Sequence, residues 1–225
     1  ATRIRTRLFV TVRTVGRFIA CPRYCGNFPC FGVFPMKHDP NDPARDIKLV
    51  VLDLDGVLTD GGLYIDDEGH VSKRFNVQDG LGIKILQKVG ITVAIVTGLA
   101  SGAARARAKQ LGITDYSEGK HQKNSVVDGF RRKYGLSWKE VAYVGDDWID
   151  LGPMSLVGFP IAVANAQPEV KAAAAWVTQA AGGAGAVREV ARRILTAQNR
   201  MEKALEHWVD SSKPEADTEK TKGVQ

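Results

Sequence analysis

Cysteine is scarce and confined to one corner of this chain. Cys21, Cys25 and Cys30 are the only three, so the remaining length carries no disulfide framework. Three sulfurs without a fourth ligand nearby also make a weak zinc signal. No run of about 18 apolar residues exists, which leaves no candidate transmembrane helix. A cytoplasmic protein with no membrane partner is expected. Acid is missing too, but only locally. Residues 1–35 hold six arginines (Arg3, Arg5, Arg7, Arg13, Arg17, Arg23) and no Asp or Glu. The whole chain has 31 basic and 25 acidic residues, so setting those six aside leaves 25 of each sign. The net charge of +6 therefore belongs to the N-terminal segment, and the neutral remainder speaks against a nucleic-acid partner.

That segment differs from the rest in every respect. Phe and Pro are scattered through it without period, and Met36 and a polar stretch, "KHDPNDPARD", follow it. The folded protein is expected to begin near Met36, with the upstream residues translated from too early a start. An Arg-rich targeting peptide is the other reading, though the segment is poor in serine. The expected organisation is a basic extension over 1–45, a folded domain over 46–209, and a disordered polar tail over 210–225.

From residue 48 strands and helices alternate. "KLVVLDL" is a continuous apolar run, as in a strand buried on both faces. "GGLYIDDEGHVSKRFNV" predicts a hairpin: Leu63, Tyr64 and Ile65, a turn through Asp67 and Gly69, then Val71, Phe75 and Val77. "DGLGIKILQKVG" predicts a helix closed by Gly90, and "ITVAIVT" a second buried strand. "SGAARARAKQLG" predicts a helix between an N-cap at Ser101 and a stop at Gly112. A short strand near 114–117, a helix over 124–134, the strand "VAYVG", a helix in "DWIDLGPMSLVG" and the strand "FPIAVA" follow. "QPEVKAAAA" is helical, 176–178 an edge strand, and "AVREVARRILTAQNRMEKALEHW" one long final helix. Such repetition predicts an α/β fold of three layers, a Rossmann-like parallel sheet covered on both faces, with right-handed crossovers.

Ligands in such sheets bind beyond the carboxyl ends of the strands. The first strand ends in Asp53-Leu-Asp55-Gly56 and the second in Thr97-Gly98. Lys123 opens the third full helix, and "VAYVG" ends in Asp146-Asp147, with Asp150 close behind. Clustered carboxylates repel one another, so a hard divalent cation such as Mg²⁺ is their natural partner. A lysine and a threonine beside it can hold phosphate oxygens. The set is an inventory for phosphoryl transfer. Strand alternation places residues 53 and 55 on one face, so one carboxylate can attack phosphorus while the other manages the leaving group's proton. Gly56 lets the chain turn close to the phosphate.

"DLDGVLTD", "VTG", Lys123 and "GDDWID" resemble the four motifs of the haloacid dehalogenase superfamily of phosphatases. The chain is most similar to the branch of the 3-deoxy-D-manno-octulosonate 8-phosphate (KDO 8-phosphate) phosphatases and their sialic-acid-pathway relatives. "DGVLTDGGLYIDDEGHVSKRFNVQDGLGIKIL", "AYVGDDWIDLGPM" and "TQAAGGAGAVREV" carry that likeness, over about residues 46–200. The resemblance implies Asp53 as nucleophile, Asp55 as general acid and base, and Thr97 and Lys123 as holders of the phosphoryl oxygens. It implies Mg²⁺ on Asp53, the backbone of Asp55 and Asp146, supported by Asp147 and Asp150. It places Gly56, Asp79, Gly80, Gly98 and Arg188 at a small phosphorylated sugar. It also implies a protruding hairpin, no cap domain, and a homotetramer built on Leu63–Val77, with the glycine-rich segment over a neighbouring site. Two positions depart from that branch, Gln78 and Leu99, where it usually has arginine. A receiver domain of bacterial signalling would order these groups differently. A non-catalytic oligomerisation module would have lost the catalytic Asp, Thr or Lys.

Overall fold

The computed structural model describes residues 39–210, with side chains to residue 205. The expectations for residues 1–35 and for the tail beyond 210 lie outside this range. Within it, β1 (Leu49–Leu52) is buried on both faces and sits mid-sheet. It pairs in parallel with β4 (Thr92–Val96) on one side and β6 (Val141–Gly145) on the other. With β5 (Tyr116–Ser117), β7 (Phe159–Ala162) and β8 (Trp176–Val177) the order is β5-β4-β1-β6-β7-β8, all parallel. Continuous Val/Ile/Leu runs make this possible, because a strand covered on both faces needs no polar side.

Helices α1 (Val77–Lys88), α2 (Gly102–Leu111), α3 (Asn124–Lys133), α4 (Leu151–Met154), α5 (Pro168–Ala173) and α6 (Ala186–Ala197) cover the sheet. The chain steps from β1 to β4 to β5, then crosses back to β6 and continues the other way. Right-handed crossovers therefore put α1 and α2 on one face and α3, α4 and α5 on the other. Helix α6 packs along α1. The winding reverses beside β1, which opens a crevice at the carboxyl ends of β1, β4 and β6. No further domain covers that end among the described residues; the only protrusion there is a two-stranded ribbon, β2 (Tyr64–Ile65) and β3 (Val71–Ser72).

Three local expectations change. Val77 does not end the hairpin. It opens α1, two residues before the expected start, because Asn76 accepts the amide of Gln78 at 2.7 Å as N-cap. The helix in "DWIDLGPMSLVG" divides into a 3₁₀ turn, Trp148–Asp150, and the short α4. The long final helix also breaks, into α6 and α7 (Met201–Asp210). Asn199 there has φ +55°, a left-handed conformation that asparagine tolerates better than most residues. The Gln198 amide donates to the carbonyls of Ala44 and Ile47, at 3.3 and 2.8 Å, and anchors the break to the chain entering β1. Ser101 and Gly112 bound α2 as expected, Gly112 in the left-handed conformation.

Candidate active site

Asp53 follows β1 directly. Its amide still donates to Val144 O at 3.0 Å, so the sheet fixes the residue while its side chain leaves the strand end. The chain then turns sharply, with Gly56 at φ +88°. A Cβ at Gly56 would stand 2.0 Å from Asp146 Oδ2, so only glycine allows β1's loop and β6's loop to meet here. The Thr59 hydroxyl accepts the amides of Gly56 and Gly61, each at 3.3 Å, and stiffens that turn.

Lys123 and Asp150 tie the loops together. The Lys123 ammonium, almost wholly buried, donates to Asp53 Oδ1 and Asp150 Oδ1 at 2.7 Å each. Tyr143 OH donates to the same Asp150 oxygen at 2.7 Å. The other Asp150 oxygen accepts the amides of Asp146 and Asp147, at 2.9 and 3.3 Å. Asp150, expected only in support, is thus the hub. Tyr143 was not anticipated; its signal was a lone aromatic in an otherwise aliphatic strand, seven residues before Asp150.

One oxygen each from Asp53, Asp146 and Asp150 lies within 4.8 Å of the others. Asp146 Oδ1 is buried and has no hydrogen-bond partner. Burial raises the Asp53 pKa to about 7, reinforced by Asp150 and opposed by Lys123. Burial likewise raises Asp146 to about 8, with Asp53, Asp150 and Asp147 adding to it. Lys123 is held above its ordinary value: burial pulls it down, but Asp53 and Asp150 outweigh that. A buried carboxylate cluster with an orphaned oxygen suits a divalent cation taking oxygen ligands.

The other expected residues divide into two groups. At the crevice, Thr97 is buried at the end of β4 and its hydroxyl accepts the Leu99 amide at 3.3 Å. A Cβ at Gly98 would meet His121 and Ile149 at 3.6 and 3.7 Å, so these two side chains flank it. Asp55 turns its carboxylate to Lys73. Asp147 is exposed and caps the 3₁₀ turn through Trp148 N at 2.7 Å, so its carboxylate is outside the three-residue cluster. Away from the cluster, buried Asp79 accepts the amides of Gly185 and Arg188 at 3.2 and 2.9 Å. It supplies from α1 the N-cap that α6 lacks, since Gly185 stands at that position. Gly80 packs on α2, where a Cβ would lie 2.3 Å from the Arg107 guanidinium. Arg188 is half-buried, its pKa lowered by burial and then by Arg192.

The glycine-rich segment lies over this same turn. A Cβ at Gly182 would stand 1.7 Å from Gly56 O, and Gly183 N donates to Val57 O at 3.0 Å. Asn165 joins the two loops, donating to Gly56 O at 3.2 Å and accepting Gly182 N at 2.7 Å. Nothing in the sequence pattern singled out Asn165.

Residues 112–190 match the model of the haloacid dehalogenase-like hydrolases. Over 175 residues the chain is 41 % identical to the 3-deoxy-D-manno-octulosonate 8-phosphate phosphatase KdsC of Escherichia coli (strain B / BL21-DE3), covering 78 % of this chain and 92 % of the relative. The chain belongs to the KDO 8-phosphate phosphatase family of haloacid dehalogenase-like hydrolases. Two crystal structures in this family are similar to it. The Yersinia pestis phosphatase is 41 % identical, with a TM-score of 0.71 over 72 % of this chain and 88 % of that one. The Moraxella catarrhalis phosphatase, in complex with magnesium ion, phosphate ion and a KDO molecule, is 39 % identical, with a TM-score of 0.73 over 75 % and 97 %. The family's fold is thus the fold described above.

Proposed function

We propose that this protein is a Mg²⁺-dependent phosphomonoesterase that cleaves KDO 8-phosphate or a closely related sugar-acid phosphate. The observation that carries the reading is the buried set Asp53–Lys123–Asp150 with the unpartnered Asp146 oxygen, at the crevice of a chain of this family. Asp53 is the nucleophile: its carboxylate oxygen bonds to phosphorus as the ester P–O bond breaks. Asp55 gives the leaving sugar oxygen its proton. Water then attacks phosphorus, its proton passes to Asp55, the Asp53–phosphorus bond breaks, and inorganic phosphate leaves. Thr97 and Lys123 hold the phosphoryl oxygens. Asp53, Asp146 and Asp150, with Asp147 and the Asp55 backbone in support, would hold Mg²⁺, whose chemistry is to neutralise charge on the transferring phosphoryl group. Gly56, Gly98 and Arg188 are read as contacts of the sugar phosphate, while Asp79 holds the Arg188 amide and Gly80 lets α1 pack on α2.

A second reading, another small sugar phosphate, is favoured by two positions. Gln78 is exposed on the first turn of α1, and Leu99 is exposed beside Thr97. Neither offers a charge to a substrate carboxylate, where arginine makes a strong two-pronged contact. The working protein is read as a cytoplasmic homotetramer. Comparing kcat/KM for KDO 8-phosphate with a panel of sugar phosphates, in the wild type and in Asp53→Asn, tests the proposal. The wild type is expected to prefer a sugar-acid phosphate, and the folded Asp53→Asn protein to be inactive. Turnover retained by that variant would refute the nucleophile.

A further inference from the structure

The hairpin is exposed almost everywhere. Tyr64, Ile65 and Val71 are 55 %, 62 % and 43 % exposed. The side chain of Lys73, one residue past β3, is only 2 % exposed. Its ammonium turns inward and pairs with Asp55 Oδ1. The other oxygen, Asp55 Oδ2, is buried and has no partner. One oxygen of this carboxylate is therefore pinned, and the other is left free at the crevice.

The next two residues hold the same loop. Arg74 Nη1 donates to Gly183 O at 3.2 Å and stands 3.6 Å from Asp60. Phe75 bridges to Thr59. Three successive residues at the hairpin's root thus grip residues 55–60 at three points. A buried ammonium is costly unless it is paired, so Lys73 stays where Asp55 is.

We propose that Lys73 is a positioning residue that aims the free oxygen of Asp55 at the reacting atoms, and not a substrate contact. The inference rests on the reading of Asp55 as the group that moves the proton. A carboxylate just before a sharp turn, here at Gly56, can rotate; a charge-assisted contact on one oxygen sets the direction of the other. Loss of about 1 Å in such placement costs on the order of 100-fold in rate.

The experiment compares Lys73→Met, Lys73→Arg and Asp55→Asn with the wild type, on a sugar phosphate and on p-nitrophenyl phosphate. With the sugar phosphate, Lys73→Met should lose about 100-fold in kcat with KM within about threefold, and Lys73→Arg should recover part of the loss. The aryl oxide leaves with its electron pair and needs no proton, so Asp53 is still phosphorylated. The second step, in which water gives a proton to Asp55, is slowed. A burst of p-nitrophenolate near one equivalent per site should therefore appear in Lys73→Met and in Asp55→Asn. A burst in Asp55→Asn but not in Lys73→Met overturns the role of Lys73 alone, as does a raised KM with unchanged kcat. No burst in either variant overturns the reading of Asp55 as well.

Discussion

Lys123 shows how one buried side chain can stand for a whole site. Its ammonium balances two of the three clustered carboxylates, and Asp146 is left to something else. That imbalance has a consequence in pH. Asp53 and Asp146 are raised from the ordinary 3.8 to about 7 and about 8. Between those values the folded state holds protons that the unfolded chain has released. Stability of the metal-free protein should therefore fall as pH rises from about 4 towards 8. Mg²⁺ should reverse this. Melting temperature measured against pH, with and without Mg²⁺, should show the largest metal-induced rise near pH 8, and the least near pH 5. Lys123→Met should be worse still. It strands Asp53 and Asp150 in the interior, which costs roughly 3–5 kcal/mol by denaturant titration.

Elements matter here through what one supplies to another. Gly185, at the N-cap position of helix α6, has no side chain to cap it, and Asp79 of α1 does so from outside. Asp79→Ala should cost about 1–2 kcal/mol, read as a lower melting temperature, while Asp53 and Lys123 keep their places. Glycine in the 182–183 segment has a different reason. At Gly182 a Cβ would overlap the Gly56 carbonyl, a main-chain atom with nowhere to go. Gly182→Ala should push the turn beside Asp53 out of place. It should lower kcat at least as much as it lowers stability, in contrast to Asp79→Ala, and steady-state kinetics beside thermal melts separates the two.

At the scale of the whole molecule, the hairpin is an unfinished surface. A two-stranded ribbon cannot bury Leu63, Tyr64, Ile65 and Val71 by itself, and all four are exposed. Copies of the chain packing ribbon to ribbon would cover them. Light scattering should give close to four times the 24.4 kDa chain mass for the wild type. Ile65→Asp should shift the mass towards a single chain. A wild-type monomer at micromolar concentration would end the tetramer reading. No described helix is long and apolar enough to cross a membrane.

Buried strands and their ends were legible without coordinates. Continuous apolar runs have few ways to be satisfied other than inside a parallel sheet, and the carboxylates that close them must then share one end. So the sheet, its crevice, and the meeting of Asp53, Lys123 and Asp146 followed from residue order. Tertiary structure alone decided what depends on contacts between distant segments. Asp150 took the hub because Tyr143 and Lys123 both reach it, and Asp79 turned to α6 because that helix had no cap of its own. The final helix broke where Gln198 found the carbonyls of Ala44 and Ile47, over 150 positions earlier in the chain. Local pattern records which face of an element is apolar; it does not record which partner a polar side chain will find across the fold.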